Sequence, residues 1–222
     1  MKSTALFVPF LMINSVWSHA QNDRSSDKLN IVYIMTDDHS YQTISAYGGE
    51  LTKLAPTPNL DRLAKKGMLF QRAFVENSLS TPSRACLMTG LYSHQNGQRT
   101  LFGMVDTTKT FVSEILQQNG YQTAVVGKWH MRCEPKGFDY YQILFDQGAY
   151  YNPEFKSKET GGKYIRREGY ATTLTTDYAI NFLEHRNNSK PFCLFVHHKA
   201  PHRNWMHRVA TAESIPTPKE QE

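Results

Sequence analysis

Four groups of side chains have the types and spacing that chemistry needs. The first is Ser80-Thr81-Pro82-Ser83-Arg84, which opens a segment running through Leu87 to Thr89 and Gly90. Proline near a first turn, small polar residues beside it and a closing glycine are the punctuation of a short helix. A helix start aims free N–H groups and the positive end of its dipole at an anion, and Arg84 adds a bidentate donor. The second group is the pair Asp37-Asp38. Adjacent carboxylates repel, yet together they suit a hard divalent cation held through oxygen. An aspartate at a strand end also closes an Asx turn, and the pair by itself leaves both readings open.

The third group is Lys128-Trp129-His130. An extended chain would put the fixed cation and the titratable imidazole on one side, which suits oxyanion stabilisation with proton transfer. Taken alone, the two read more simply as a surface lysine and a core histidine. The fourth is His197, His198 and His202, where ligands and satisfied structural histidines are both possible.

These groups need elements to position them. Residues 29–35 form a continuous apolar run that suits a strand buried on both faces of a parallel sheet, and Asp37 and Asp38 follow it directly. Residues 58–67 read as a short amphipathic helix with Pro58 at its start and Gly67 at its end. Residues 69–75 are a second candidate strand. A helical pattern over 111–119 ends at Gly120, and the strand 121–126 stops at Gly127, just ahead of Lys128 and His130. Residues 140–168, rich in Tyr, Gly and Lys, read as a long surface excursion. A helix over 175–186 then leads into the apolar strand 192–196, whose end carries the three histidines. This alternation predicts an α/β fold with a mostly parallel central sheet flanked by helices. Ligands in such sheets bind beyond the carboxyl ends of the strands, so polar clusters at three strand ends predict one shared site.

Composition sets the outer bounds. With 222 residues, 40% hydrophobic and 20% charged, the chain can bury one sizeable core, and neither a collagen, a coiled coil nor wholesale disorder fits. The net charge of +5 leans towards anionic partners. Its cations are dispersed, which argues against a nucleic-acid partner. Lys2, the apolar stretch 5–16 and Ser18-His19-Ala20 ahead of Gln21 have the layout of a secretory signal peptide over 1–20, followed by a polar linker over 21–28. The apolar stretch is shorter than the roughly 20 residues a spanning helix needs. No cysteine follows the cleavage site, so a periplasmic or secreted protein without a membrane anchor is expected. Cys86, Cys133 and Cys193 show no metal spacing, and an odd number leaves at least one thiol free or paired between chains.

The segment 80–90 closely resembles the signature of the sulfatase family: Cys or Ser, any residue, Pro, a small residue, Arg, then Leu-x-Thr-Gly. Ser80 stands first, which makes this similar to the serine-type signature, and Leu87, Thr89 and Gly90 also match. Further landmarks follow in the family's order: residues 30–38 with Asp37 and Asp38, residues 56–64, Gly127-Lys128-Trp129-His130, and Ala200-Pro201-His202. The resemblance implies the alkaline phosphatase/sulfatase-like fold and a sulfuric ester hydrolase. It implies that a sulfatase-maturing enzyme oxidises Ser80 to formylglycine, whose hydrate attacks sulfur with one hydroxyl and expels sulfate with the other. It also implies calcium on Asp37, Asp38 and the residue-80 oxygen. Arg84 and Lys128 would then stabilise the transferring group, His130 assist sulfate release, and His202 protonate the leaving oxygen. The stretch 199–206 is similar to bacterial sulfatases acting on sulfated glycans, including those like N-acetylglucosamine-6-sulfatases, which makes a sulfated carbohydrate the expected substrate.

Family members are usually about twice as long as this chain. A second pair of metal ligands and a second active-site lysine find no match, and 207–222 read as an irregular tail. The expectation is therefore an incomplete catalytic domain over 29–206, with a half-built cation site and an unpaired sheet edge. Two other readings stay open: a non-catalytic fragment or anion-binding module, and a metal-dependent phosphoesterase using an unmodified Ser or Thr.

Overall fold

The computed structural model describes residues 28–204, so the expected signal peptide, Trp205, Met206 and the tail lie outside the described residues. Six strands form one sheet in the order β1-β6-β2-β3-β4-β5. Here β1 is Ile31–Met35, β2 Gln122–Lys128, β3 Tyr140–Leu144, β4 Glu154–Ser157, β5 Tyr164–Arg166 and β6 Phe192–His197. The first four in space, β1, β6, β2 and β3, run parallel, while β4 and β5 add antiparallel. Five helices accompany them: α1 Pro58–Lys66, α2 Ser80–Thr89, α3 Ser93–Asn96, α4 Val112–Gln118 and α5 Ala171–His185. The expected α/β architecture with flanking helices is the one observed.

Alternation along β2 divides the core between two faces. Val125 points into a cluster with Ala85 and Met88 of α2, Phe111, Trp129, Phe138 and Phe195, against which Val112 and Leu116 of α4 pack. Ala124 and Val126 point the other way, into Ala179 and Phe182 of α5 with Phe192, Leu194 and Val196. The period of two in the strand thus meets a helical stripe on each side, the arrangement that buries a parallel sheet.

Three sequence expectations fail here. β1 is not buried on both faces: Val32 is 51% exposed and Ile34 59%. Its apolar run reads as a central strand, but among the described residues β1 is an edge strand paired only with β6. Residues 69–75 form no strand, and Phe70, Phe74 and Val75 are exposed. An apolar run becomes a strand only where a neighbour completes its hydrogen bonds, and no described strand lies beside this one. The supposed surface excursion over 140–168 contains β3, β4 and β5, with Tyr141, Ile143, Leu144 and Phe155 buried. Its many Tyr and Gly residues are cross-strand aromatics and turns rather than loop filler. The Phe145–Tyr164 ring pair, 5.0 Å between centroids, links the end of β3 to β5. Among the described residues, the unpaired edge expected from the sequence is present in β1.

Gly127 ties the fold to the site. It sits in β2 at φ +92°, and a Cβ there would lie 2.0 Å from the carbonyl oxygen of His197 in β6. Only glycine allows β2 and β6 to approach so closely just before Lys128. Gly127→Ala is expected to cost about 3 kcal/mol or more, read as a fall in the urea midpoint. An unchanged midpoint would show that the two strands can part here freely.

Candidate active site

Asp37, placed two residues beyond the end of β1, meets two cations that arrive from other elements. Lys128, the last residue of β2, puts Nζ 2.5 Å from Asp37 Oδ2. Arg84, from the second turn of α2, donates through Nη2 to the same oxygen at 3.1 Å. Arg84 and Lys128 are essentially fully buried, and Asp37 nearly so. Burial by itself would push the Asp37 carboxyl up, but the Lys128 hydrogen bond and the charges of Lys128 and Arg84 hold it below the ordinary carboxylate range. Lys128 and Arg84 are both lowered by burial, which their contacts with Asp37 only partly offset. The backbone carries this cluster, since Asp37 N–H donates to Ala200 O and His198 N–H to Met35 O. The ends of β1 and β6 are held together this way.

Ser80 opens α2, and the helix closes at Gly90, which takes the left-handed conformation expected of a terminator. Pro82 lacks an N–H and so fits the first turn, where none is needed. Ser80 Oγ lies 2.9 Å from His130 Nδ1 and accepts from Arg84 Nε at 3.4 Å. Thr81 Oγ1 donates to the His130 carbonyl at 2.9 Å, fixing the chain at the point where His130 adopts φ +49°. Burial and then the Lys128 charge lower the His130 pKa to about 4, so the ring is neutral near neutral pH.

A cavity of about 380 Å³ is lined by Asp37, Asp38, Ser80, Ser83, Arg84 and their neighbours. Asp37, Asp38 and His202 each bring one ligand atom within 4.8 Å of the others, making a possible acidic metal site. Two carboxylates with serine hydroxyls in the same cavity form an oxygen-rich donor set, which fits a hard cation. His202 Nε2 lies 3.6 Å from Asp38 Oδ2, and the main chain at His202 is anchored by Tyr150 Oη at 2.6 Å.

All seven sequence candidates, Asp37, Asp38, Ser80, Arg84, Lys128, His130 and His202, therefore gather beyond the carboxyl ends of the adjacent strands β1, β6 and β2. The extended geometry expected for Lys128 and His130 does not occur, because the chain turns at His130. Lys128 reaches down to Asp37 and to Gln147 Oε1 at 2.5 Å, while His130 turns to Ser80. Sequence reasoning passed over Gln147, Asp146 and Lys199. The first two lie in the segment read as surface, where no signal marked them. Lys199 is buried against the Tyr150 ring, 4.9 Å from its centroid, and burial followed by the Lys128 charge lowers its pKa to about 8. Its place between two histidines and Pro201 was the available signal. His197 is a packed histidine in full burial, with Nδ1 3.2 Å from Arg84 Nη1. The three cysteines are free thiols. Cys86 and Cys193 are buried, and burial raises the Cys193 thiol to about 11.

The fold is shared with a protein of the alkaline phosphatase superfamily from Vibrio parahaemolyticus, at 18% identity and a TM-score of 0.55 over 85% of this chain and 45% of that one. Residues 29–220 match the sulfatase family, and the chain belongs to it. The N-acetylglucosamine-6-O-sulfatase of Bacteroides thetaiotaomicron is 44% identical over 206 residues, which cover 91% of this chain and 36% of that protein. Human N-acetylgalactosamine-6-sulfatase is 28% identical over 75% of this chain and 38% of its own length. A solved enzyme in complex with its substrate D-glucosamine-2-N,6-O-disulfate superposes with a TM-score of 0.76 at 49% identity, over 81% of this chain and 36% of that one. The chain thus spans a little over a third of the length of these relatives.

Burial and the Arg84 charge lower the His197 pKa to about 3, well below the ordinary 6.5. The unfolded chain therefore takes up a proton that the folded chain refuses between those values. Stability from this group is complete above about pH 6.5 and is lost as pH falls towards 3. At about pH 5 the loss from this residue is expected to be about 2 kcal/mol. Urea unfolding of the chain and of His197→Gln at neutral pH and at about pH 5 checks it. The variant should lose less than the parent on acidification, and an equal loss in both would remove His197 as the cause.

Proposed function

We propose that the chain carries the nucleophile-bearing part of a sulfuric ester hydrolase that releases sulfate from a 6-O-sulfated amino sugar. The observation that carries this reading is Ser80 Oγ, held at the start of α2 between His130 Nδ1 and Arg84 Nε and lining the same cavity as Asp37 and Asp38. In this reading a sulfatase-maturing enzyme oxidises Ser80 to formylglycine, and addition of water gives a hydrate with one attacking hydroxyl and a second whose deprotonation releases sulfate and regenerates the aldehyde. Asp37, Asp38 and the residue-80 oxygen would hold calcium, which offsets sulfate charge and orients the nucleophile.

The chain's own groups then divide the work. Arg84 and Lys128 bring two fixed cations to meet a bound sulfate ester, while Asp37 and Asp38 face the cation site. His130, neutral by virtue of its lowered pKa, accepts a proton at Nδ1 from the residue-80 hydroxyl. His202, beside Asp38 at the rim, protonates the departing sugar oxygen. The names of the relatives support an amino-sugar 6-sulfate over other esters. The signal-peptide layout supports a periplasmic or secreted site of action.

One observation favours a second reading: among the described residues β1, which ends at the site, has its edge and faces exposed. A chain in this state could bind an anion without turning it over. Sulfate release separates the two, with the chain co-produced with a sulfatase-maturing enzyme and supplied with calcium. Release from N-acetylglucosamine-6-sulfate, lost with a chelator and reduced about a thousand-fold or more in Ser80→Ala, is the expected result. Turnover of an aryl sulfate alone would count against the sugar, and sulfate binding without any turnover would select the second reading.

A further inference from the structure

The turn after β3 brings a third member to the Ser80–His130 pair. His130 Nε2 lies 3.3 Å from Asp146 Oδ1, on the opposite side of the ring from Ser80. The turn is rigidly placed. Phe145 N–H donates to Glu154 O at 3.0 Å, Gly148 N–H to Phe145 O at 2.8 Å, and Gln147 is tied to Lys128. Within it Asp146 takes φ +45°, a left-handed conformation that aspartate and asparagine adopt more readily than other residues with a Cβ.

A neutral imidazole carries one proton, and its position decides which nitrogen donates and which accepts. An ionised carboxylate can only accept, so it favours the proton on the nitrogen facing it. At the other end Nδ1 has two neighbours, Ser80 Oγ at 2.9 Å and Thr81 Oγ1 at 3.3 Å, and since the Thr81 proton goes to the His130 carbonyl, the nearer serine is the donor to Nδ1. Arg84 Nε can only donate, and it does so to Ser80 Oγ, which leaves the serine proton free to point at Nδ1. With the proton on Nδ1 instead, two lone pairs would face each other between Nε2 and Asp146.

We propose that Asp146 is a positioning residue, which accepts the Nε2 proton of His130 and so fixes the tautomer whose Nδ1 lone pair faces the residue-80 hydroxyl. The carboxylate–imidazole–hydroxyl order is that by which a buried acid sets the tautomer of a catalytic base. Here the acid is 65% exposed. Its effect therefore lies in orientation and proton placement more than in charge. The proposal rests on the reading of Ser80 as the nucleophile's source for its consequence in catalysis. The tautomer itself does not depend on that reading.

The test is nitrogen–proton correlation spectroscopy of the histidine rings in the ¹⁵N-labelled chain with Ser80 unmodified, near neutral pH. His130 is assigned by the signal lost in His130→Gln. The parent should show a protonated Nε2 and an unprotonated Nδ1 for His130, with widely separated nitrogen shifts. In Asp146→Gly, which relieves the turn, the two shifts should move towards each other as both tautomers become populated, while the amide spectrum away from residues 128–148 stays unchanged. A proton on Nδ1 in the parent, or an unaltered His130 pattern in Asp146→Gly, would overturn the proposal. Because no turnover is measured, failure here would leave the sulfatase reading standing, and failure to release sulfate would leave this one standing.

Discussion

The site is organised by one buried carboxylate facing two buried cations. Removing Lys128 and Arg84 from water costs several kcal/mol each, and only a close, hydrogen-bonded anion makes that tolerable. Asp37 is that anion, with one oxygen 2.5 Å from Lys128 and 3.1 Å from Arg84. The three residues come from β1, α2 and β2, so the pairing fixes the start of α2 against the ends of two strands. Everything that touches Ser80 inherits this. Arg84 reaches Ser80 with Nε while Nη2 is held by Asp37, and His130 follows Lys128 by two residues. Arg84 and Lys128 supply the positive charge that a site for a sulfate ester needs, and Asp37 and Asp38 supply the oxygens that suit a cation beside it.

That pairing also explains why the site was readable in the sequence to the extent it was. Asp37, Lys128 and the histidines after Phe195 stand directly at the ends of apolar runs, and strand ends are where an open parallel sheet concentrates its ligands. Ser80, Pro82 and Gly90 mark the two ends of α2 by rules of helix punctuation that need no tertiary information. What escaped was set by long-range pairing. β3, β4 and β5 are short strands whose Tyr- and Lys-rich composition resembles a surface loop until they are aligned. Phe155 and Tyr141 become core residues only through that alignment. Asp146 and Gln147 belong to the turn that β3 carries, so missing the strand meant missing the residues that contact His130 and Lys128. The reverse error occurred at β1, where an apolar run promised burial on both faces and the strand lies at an edge.

Among the described residues β1 is exposed. The chain spans a little over a third of the length of the relatives that it matches. The described residues bring together Asp37, Asp38 and His202 beyond the ends of β1 and β6. The contacts of Arg84, Lys128 and His130 described above are all made within the described residues.

The central claim is that Ser80 is the source of the nucleophile. The measurement that bears on it most directly is the mass of the peptide containing residue 80, isolated from chain co-produced with a sulfatase-maturing enzyme. Oxidation of the serine to formylglycine removes two hydrogens, and a loss of about 2 Da at Ser80 is the predicted result. An unmodified Ser80 in chain that has met an active maturing enzyme would contradict it.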